Sequence, residues 1–220
     1  MSALRLVIDT ATRRSVVAVA RGGELSARSE RETAHRHGAA LLEQIDDVLA
    51  RARADRREIE AIAIGVGPGS FTGLRVGMAT AKTLAYLLDV PIVGLSSSQA
   101  LARAAGVEDA SVVLPAGAHD VYVAAAGAEP VLVPQQDLTE LIADRAVVAV
   151  DIAVDSVSSE ARQRGADAVA GLADALVALL DEHLRSGHTD DIATLVPAYV
   201  ALPRGITAPI AEVAWSPDLR

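Results

Sequence analysis

Leu4-Arg5-Leu6-Val7-Ile8-Asp9-Thr10-Ala11-Thr12 is the stretch on which the fold turns. Its branched apolar run reads as a buried strand that ends at an aspartate in a turn. Ser15 to Ala20 is a second strand, Arg21-Gly22-Gly23 a hairpin turn, and Glu24 to Arg31 a third, more polar strand. Thr33 to Ala54 follows as a helix, with Leu41, Ile45, Val48 and Leu49 at helical spacing and Leu42 beside them. Ala61 to Val66 is an apolar strand, Gly67 to Gly73 a glycine-rich turn, and a second helix runs from Thr72 to Leu88. Pro91 to Leu95 is a further strand, and Ser96-Ser97-Ser98 caps a short helix through Ala104.

A meander followed by strand–helix units predicts a mixed sheet with helices packed on it. That order of elements resembles the ribonuclease-H-like lobe of the actin-like ATPase and sugar-kinase superfamily (the ASKHA fold). A first lobe is expected over residues 1–105 and a second, smaller one over 106–220, whose C-terminal segment can pack back on the first. In the second half, Ser111 to Pro115 and Val121 to Ala126 read as a hairpin around Gly117 to Asp120. Val131 to Val133 and Val147 to Asp151 read as strands, with a helix from Leu138 to Asp144 between them. Leu172, Leu176, Leu179, Leu180 and Leu184 mark an amphipathic helix, and four prolines from Pro197 onward predict an extended tail.

Composition narrows the function. Of the 220 residues 51% are hydrophobic but only 2% aromatic, so the core must be built from Ala, Val, Leu and Ile. The balance of 20 basic against 29 acidic residues gives a net charge of −9, which argues against the chain holding nucleic acid alone. Arg51, Arg53, Arg56 and Arg57 read as a solvated helix end. The absence of cysteine excludes disulfides, thiolate catalysis and Cys-type zinc sites. The N-terminal apolar run is too short for a signal peptide, and no run reaches the ~18 apolar residues of a membrane span. The expected location is cytoplasmic, with no membrane partner.

Two loops bear on chemistry. Asp9-Thr10-Ala11-Thr12 stands where the superfamily keeps its first phosphate loop, usually Asp-x-Gly-Thr/Ser. Here Ala11 puts a methyl group where the backbone would meet a phosphate oxygen, so the loop reads as degenerate, its Asp9 bonded to turn amides. Gly67-Pro68-Gly69-Ser70-Phe71-Thr72-Gly73, with Arg75 just beyond, is the most specific feature. A strand–glycine turn–helix can aim amides at an anion, and it can equally serve only to cap the helix. It lacks the Gly-Lys-Ser/Thr of a P-loop. His35 and His37 are two apart and face different ways on a helix, and His183 and His188 read as surface residues, so no metal site and no catalytic residue is assigned.

The helix after the turn is apolar nearly all round. Leu74, Met78, Ala81, Ala85 and Leu88 mark one stripe; Val76, Ala79, Thr83 and Leu87 mark another. One sheet covers one face, so the other needs a helix or a second chain. Leu41, Ile45, Leu74, Met78, Ala81, Lys82 and Ala85 are taken as the expected subunit interface, the alternative being their burial against the preceding helix.

Val7-Ile8-Asp9-Thr10-Ala11, then Gly65-Val66-Gly67-Pro68-Gly69-Ser70-Phe71-Thr72-Gly73-Leu74-Arg75-Val76-Gly77, then Gly94-Leu95-Ser96-Ser97 resemble the TsaB (YeaZ) family. The match covers residues 4 to 105. Beyond it Asp120-Val121-Tyr122 and Pro197-Ala198-Tyr199-Val200 agree in fragments, while Ala116 departs from an acidic position. The resemblance implies a non-catalytic scaffold subunit in the synthesis of threonylcarbamoyladenosine beside the anticodon of tRNAs that read codons starting with A. It implies a two-lobed actin-like fold, pairing with a TsaD-like catalytic subunit through helices near 35–52 and 72–88, and recruitment of a TsaE-like ATPase. It further implies a homodimer when alone, contact with tRNA only through the complex, and no cofactor of its own, any nucleotide lying at the partner interface. The alternative from a different class is a small ATP-dependent phosphotransferase or ATPase on the same fold, which needs Asp9 to hold Mg²⁺.

Overall fold

The computed structural model describes residues 3–32, 37–142, 145–152 and 157–200. Five strands form the first sheet: β1 (Leu4–Asp9), β2 (Arg14–Arg21), β3 (Glu24–Glu32), β4 (Ile59–Gly67) and β5 (Ile92–Ser96). Their spatial order is β3-β2-β1-β4-β5, with the meander antiparallel and β1, β4 and β5 parallel. Helices α1 (His37–Arg51) and α2 (Phe71–Leu88) connect these strands, and α3 (Ser97–Ala104) leads from β5 to the second sheet.

The second sheet has the order β8-β7-β6-β9, from β6 (Ser111–Pro115), β7 (Asp120–Ala125), β8 (Val131–Pro134) and β9 (Val147–Ala149). A one-turn α4 (Leu138–Leu141) and the long α5 (Ser159–Arg185) complete the described α-helices. This is the actin-like, ribonuclease-H-like class of fold: mixed sheets flanked by helices.

Strand alternation sorts side chains by size. Leu4, Leu6, Ile8, Ile62 and Ile64 face α1 and α2, which lie together on one side of the first sheet. Val7, Val16, Ala18, Ala20 and Ala63 face the other way, into a core shared with α3, α5 and the second sheet. The small residues on that side let α5 lie close. Gly165 is required there, since a Cβ would stand 1.8 Å from Ala149 O. An ion pair of Arg5 with Asp181 and a two-pronged bond of Arg103 to Glu182 (2.9 and 2.7 Å) tie α5 to β1 and α3.

Several elements differ from the sequence expectation. α5 is 27 residues long, beginning at Ser159 rather than Leu172. Its first half buries Ala161, Gly165, Ala168 and Val169 at helical spacing, a stripe of small residues that carries little hydropathy signal. The helix expected over Leu138 to Asp144 is a single turn ending at Leu141, and residues 143–144 lie outside the described residues, as do 33–36, with His35, and the tail from 201. The arginines after α1 are exposed and pair locally, Arg51 with Asp47, Arg56 with Asp46 and Arg57 with Asp55.

Candidate functional site

The Asp9–Thr12 loop and the Gly67–Gly73 turn meet at the C-terminal ends of β1 and β4. Asp9 is fully buried: Ser97 Oγ donates to its Oδ2 (2.6 Å) and the Ala11 amide to its Oδ1 (2.8 Å). Burial pushes the Asp9 carboxyl above its ordinary value, and the bonds from Ser97 and Ala11 oppose that shift. The carboxylate rests on Gly65, where a Cβ would lie 1.9 Å from Oδ2.

Gly69, Gly73 and Gly77 make room for the other loop. A Cβ on Gly69 would meet Ala11 O at 2.2 Å, one on Gly73 would meet Thr10 O at 2.2 Å, and one on Gly77 Thr10 Oγ1 at 2.3 Å. Across these contacts Ser70 N donates to Ala11 O (2.7 Å) and Thr10 Oγ1 to Gly73 O (2.8 Å). Gly67 N donates to Ser97 Oγ (3.1 Å), and Ser70 caps α2 by accepting from Gly73 N (3.1 Å). The amides of Gly67, Ser70 and Gly73 are therefore spent inside the protein. Ala11 and Thr12 are buried beside them. The glycines that suggest a phosphate cradle hold two loops in contact with each other.

Pro68 is buried, whereas Thr72 and Arg75 are exposed. Phe71 is half-buried, with the Arg75 guanidinium 5.3 Å from its ring centroid and Tyr199 in tilted contact at 5.3 Å. Tyr199 ends a segment that returns to the first sheet: Asp190 N donates to Ile92 O (2.9 Å), Gly94 N to Asp190 Oδ2 (2.8 Å) and Ala198 N to Val66 O (2.8 Å). A cleft of about 540 Å³ opens beside this segment, lined by Ser96, Ser98, Gln99, Arg103 and Asp109 among others. It takes Gly67 from the turn and nothing from Asp9–Thr12.

The expected subunit interface needs correction. Leu41, Ile45, Leu74, Met78, Ala81 and Ala85 are buried in the chain's own core, between α1, α2 and the first sheet. Lys82 is half-buried and donates to Leu195 O (3.0 Å). The reason is packing: Gly77, Ala81 and Ala85 let α2 sit close on the sheet, which seals that stripe and turns the other one outward. Thr72, Arg75, Ala79, Thr83, Tyr86 and Leu87 form the exposed side of α2. Tyr86 is 76% exposed, Leu87 70%, and Leu42 of α1 50%. These three large apolar side chains were not among the expected interface residues. A signal was available, for Leu42 sits beside Leu41 and Tyr86 beside Ala85, both buried, and neighbours on a helix cannot share a direction. Ser97 was read only as a cap, and its bond to Asp9 spans 88 residues, a pairing no local pattern carries.

Among the described residues no group of three His, Asp or Glu is placed to hold a metal ion, and no helix is long and apolar enough to cross a membrane. His183 and His188 make an edge contact at the end of α5, with ring centroids 5.2 Å apart.

Residues 30–203 match the family model described as TsaD: tRNA N6-adenosine threonylcarbamoyltransferase. The tRNA threonylcarbamoyladenosine biosynthesis protein TsaB of Haemophilus influenzae is 36% identical over 122 residues, 53% of this chain and 51% of that protein. TsaB of Escherichia coli is 36% identical over 100 residues, 46% of this chain and 43% of that protein. The chain thus spans about half the length of these curated relatives. YeaZ from Pseudomonas aeruginosa shares the fold with a TM-score of 0.64 at 22% identity, over 90% of this chain and all of that one. The chain belongs to the family of the matched model and, within it, to the TsaB/YeaZ group.

Proposed function

We propose that this chain is an accessory subunit in the synthesis of threonylcarbamoyladenosine on tRNA. It pairs with a TsaD-like catalytic subunit through the outward sides of α1 and α2, and the pair is joined by a TsaE-like ATPase. It supplies no catalytic residue and no cofactor, reaches tRNA only within the complex, and pairs with itself when the partner is absent. The observation that carries this reading is the exposure of Leu42, Tyr86 and Leu87 on two helices that lie on the same side of one sheet. Large apolar side chains held on such a layer mark an association surface. The closure of the two loops on each other supports the accessory role over the phosphotransferase alternative, because Asp9 already spends both oxygens inside the fold.

The test is co-purification with the cognate TsaD-like subunit, using two variants of α2. Leu87→Glu is expected to abolish the complex and leave the melting temperature nearly unchanged, since that side chain is 70% exposed. Ala81→Glu is expected to lose about 3 kcal/mol or more of stability by burying an unpaired charge. A complex that survives Leu87→Glu together with Leu42→Glu excludes this surface.

A further inference from the structure

Gln44 is 1% exposed, on the side of α1 that faces the sheet, in a row otherwise made of Leu41, Ile45, Val48 and Leu49. Its amide is fully used: Nε2 donates to Ser29 O (2.8 Å) and Ser15 O (3.1 Å), and Oε1 accepts from Ser15 Oγ (2.6 Å). The rest of the row is aliphatic, and aliphatic surfaces tolerate repacking. Turning α1 by one residue, about 100°, would bring Leu42 to the sheet in place of Leu41 but also Asp46 in place of Ile45, while Val48 and Leu49 are both buried already. The pairs of Asp46 and Asp47 with Arg56, Arg51 and Arg31 are solvent-exposed and contribute little to setting the rotation. Gln44 adds a directional restraint to the apolar row, because only one rotation meets its three partners, and a buried polar group left unpaired is costly.

We propose that Gln44 is a positioning residue of the association surface: it fixes the rotation of α1 and so determines that Leu42 and Glu43 face outward. The inference rests on the pairing function proposed above. The chain has no cysteine, so spin labels can be placed at Glu43→Cys and Glu60→Cys without a background, both sites being exposed. The pair, diluted with unlabelled protein, reports the distance from α1 to the sheet by pulsed electron resonance. The unaltered core is expected to give one narrow distribution. Gln44→Met, similar in length and apolar, is expected to broaden or shift it and to weaken binding of the TsaD-like subunit about tenfold. Ser15→Ala, which removes one of the three bonds, is expected to do the same in smaller measure and keeps the test open should Gln44→Met fail to fold. Distributions unchanged in the variants overturn the proposal. Should the native chain fail to bind the TsaD-like subunit, the pairing reading falls, while the distance comparison still decides the role of Gln44.

Discussion

Gly77→Ala distinguishes two accounts of the glycines after the turn. In an open helix interior alanine is better than glycine by about 1 kcal/mol. Here the added methyl would stand 2.3 Å from Thr10 Oγ1, 3.2 Å from Ile64 Cδ1 and 3.3 Å from Thr10 Cγ2. The threonine cannot swing aside freely, since its buried hydroxyl donates to Gly73 O at 2.8 Å. Losing that bond costs about 1–3 kcal/mol, and forcing a methyl into a filled site costs about 1–3 kcal/mol more. Set against the helix gain, the net loss is about 1–5 kcal/mol. Urea denaturation at neutral pH measures it. Thr10→Ala removes both clashing atoms of Thr10, so the double variant is expected to recover part of the loss, with a coupling of about 1–3 kcal/mol. A Gly77→Ala protein as stable as the native one, or additive effects in the double variant, would refute the packing account.

Two titrations follow from buried and paired carboxyls. Asp9 holds its proton above the ordinary value of 3.8 because it is buried, so the folded chain binds more proton than the unfolded one across that range. Its contribution to stability therefore falls as pH rises from 3.8 through the raised value. Asp9→Asn is expected to remove this slope from urea midpoints measured across acid to neutral pH, and a slope of opposite sign in the native chain rejects the assignment. Glu182 lies below its ordinary 4.5, chiefly through the hydrogen bonds from Arg103. In an NMR titration its carboxyl is expected to move up toward 4.5 in Arg103→Ala, and an unchanged midpoint would mean that the pair does not form in solution.

The meander, the strand–helix units and the serine cap at Ser96 were legible because strands and helices of the first sheet bury Leu and Ile at clean spacings. The first half of α5 was not, because Ala161, Gly165 and Ala168 bury backbone-close surface rather than apolar mass. The reading of the Asp9–Thr12 loop as a degenerate phosphate loop rests on Ala11 alone. What the glycines do was not legible, since Gly65, Gly69, Gly73 and Gly77 answer to atoms of Asp9, Thr10 and Ala11 more than fifty positions away. The interface residues were misassigned for a related reason. Periodicity gives α2 two stripes, and only the packing of Ala81 and Ala85 on the sheet says which is inside.

The length of α5 has a consequence for dissecting the protein. Leu172, Leu176 and Leu180 cover Val7, Val16 and Ala18 of the first sheet and also Val112, Leu114 and Val148 of the second. A truncated product holding only the first five strands would keep the core between the sheet and α1 and α2 but present a bare aliphatic wall to water on its other face. The C-terminal half thus covers the face of the first sheet opposite α1 and α2.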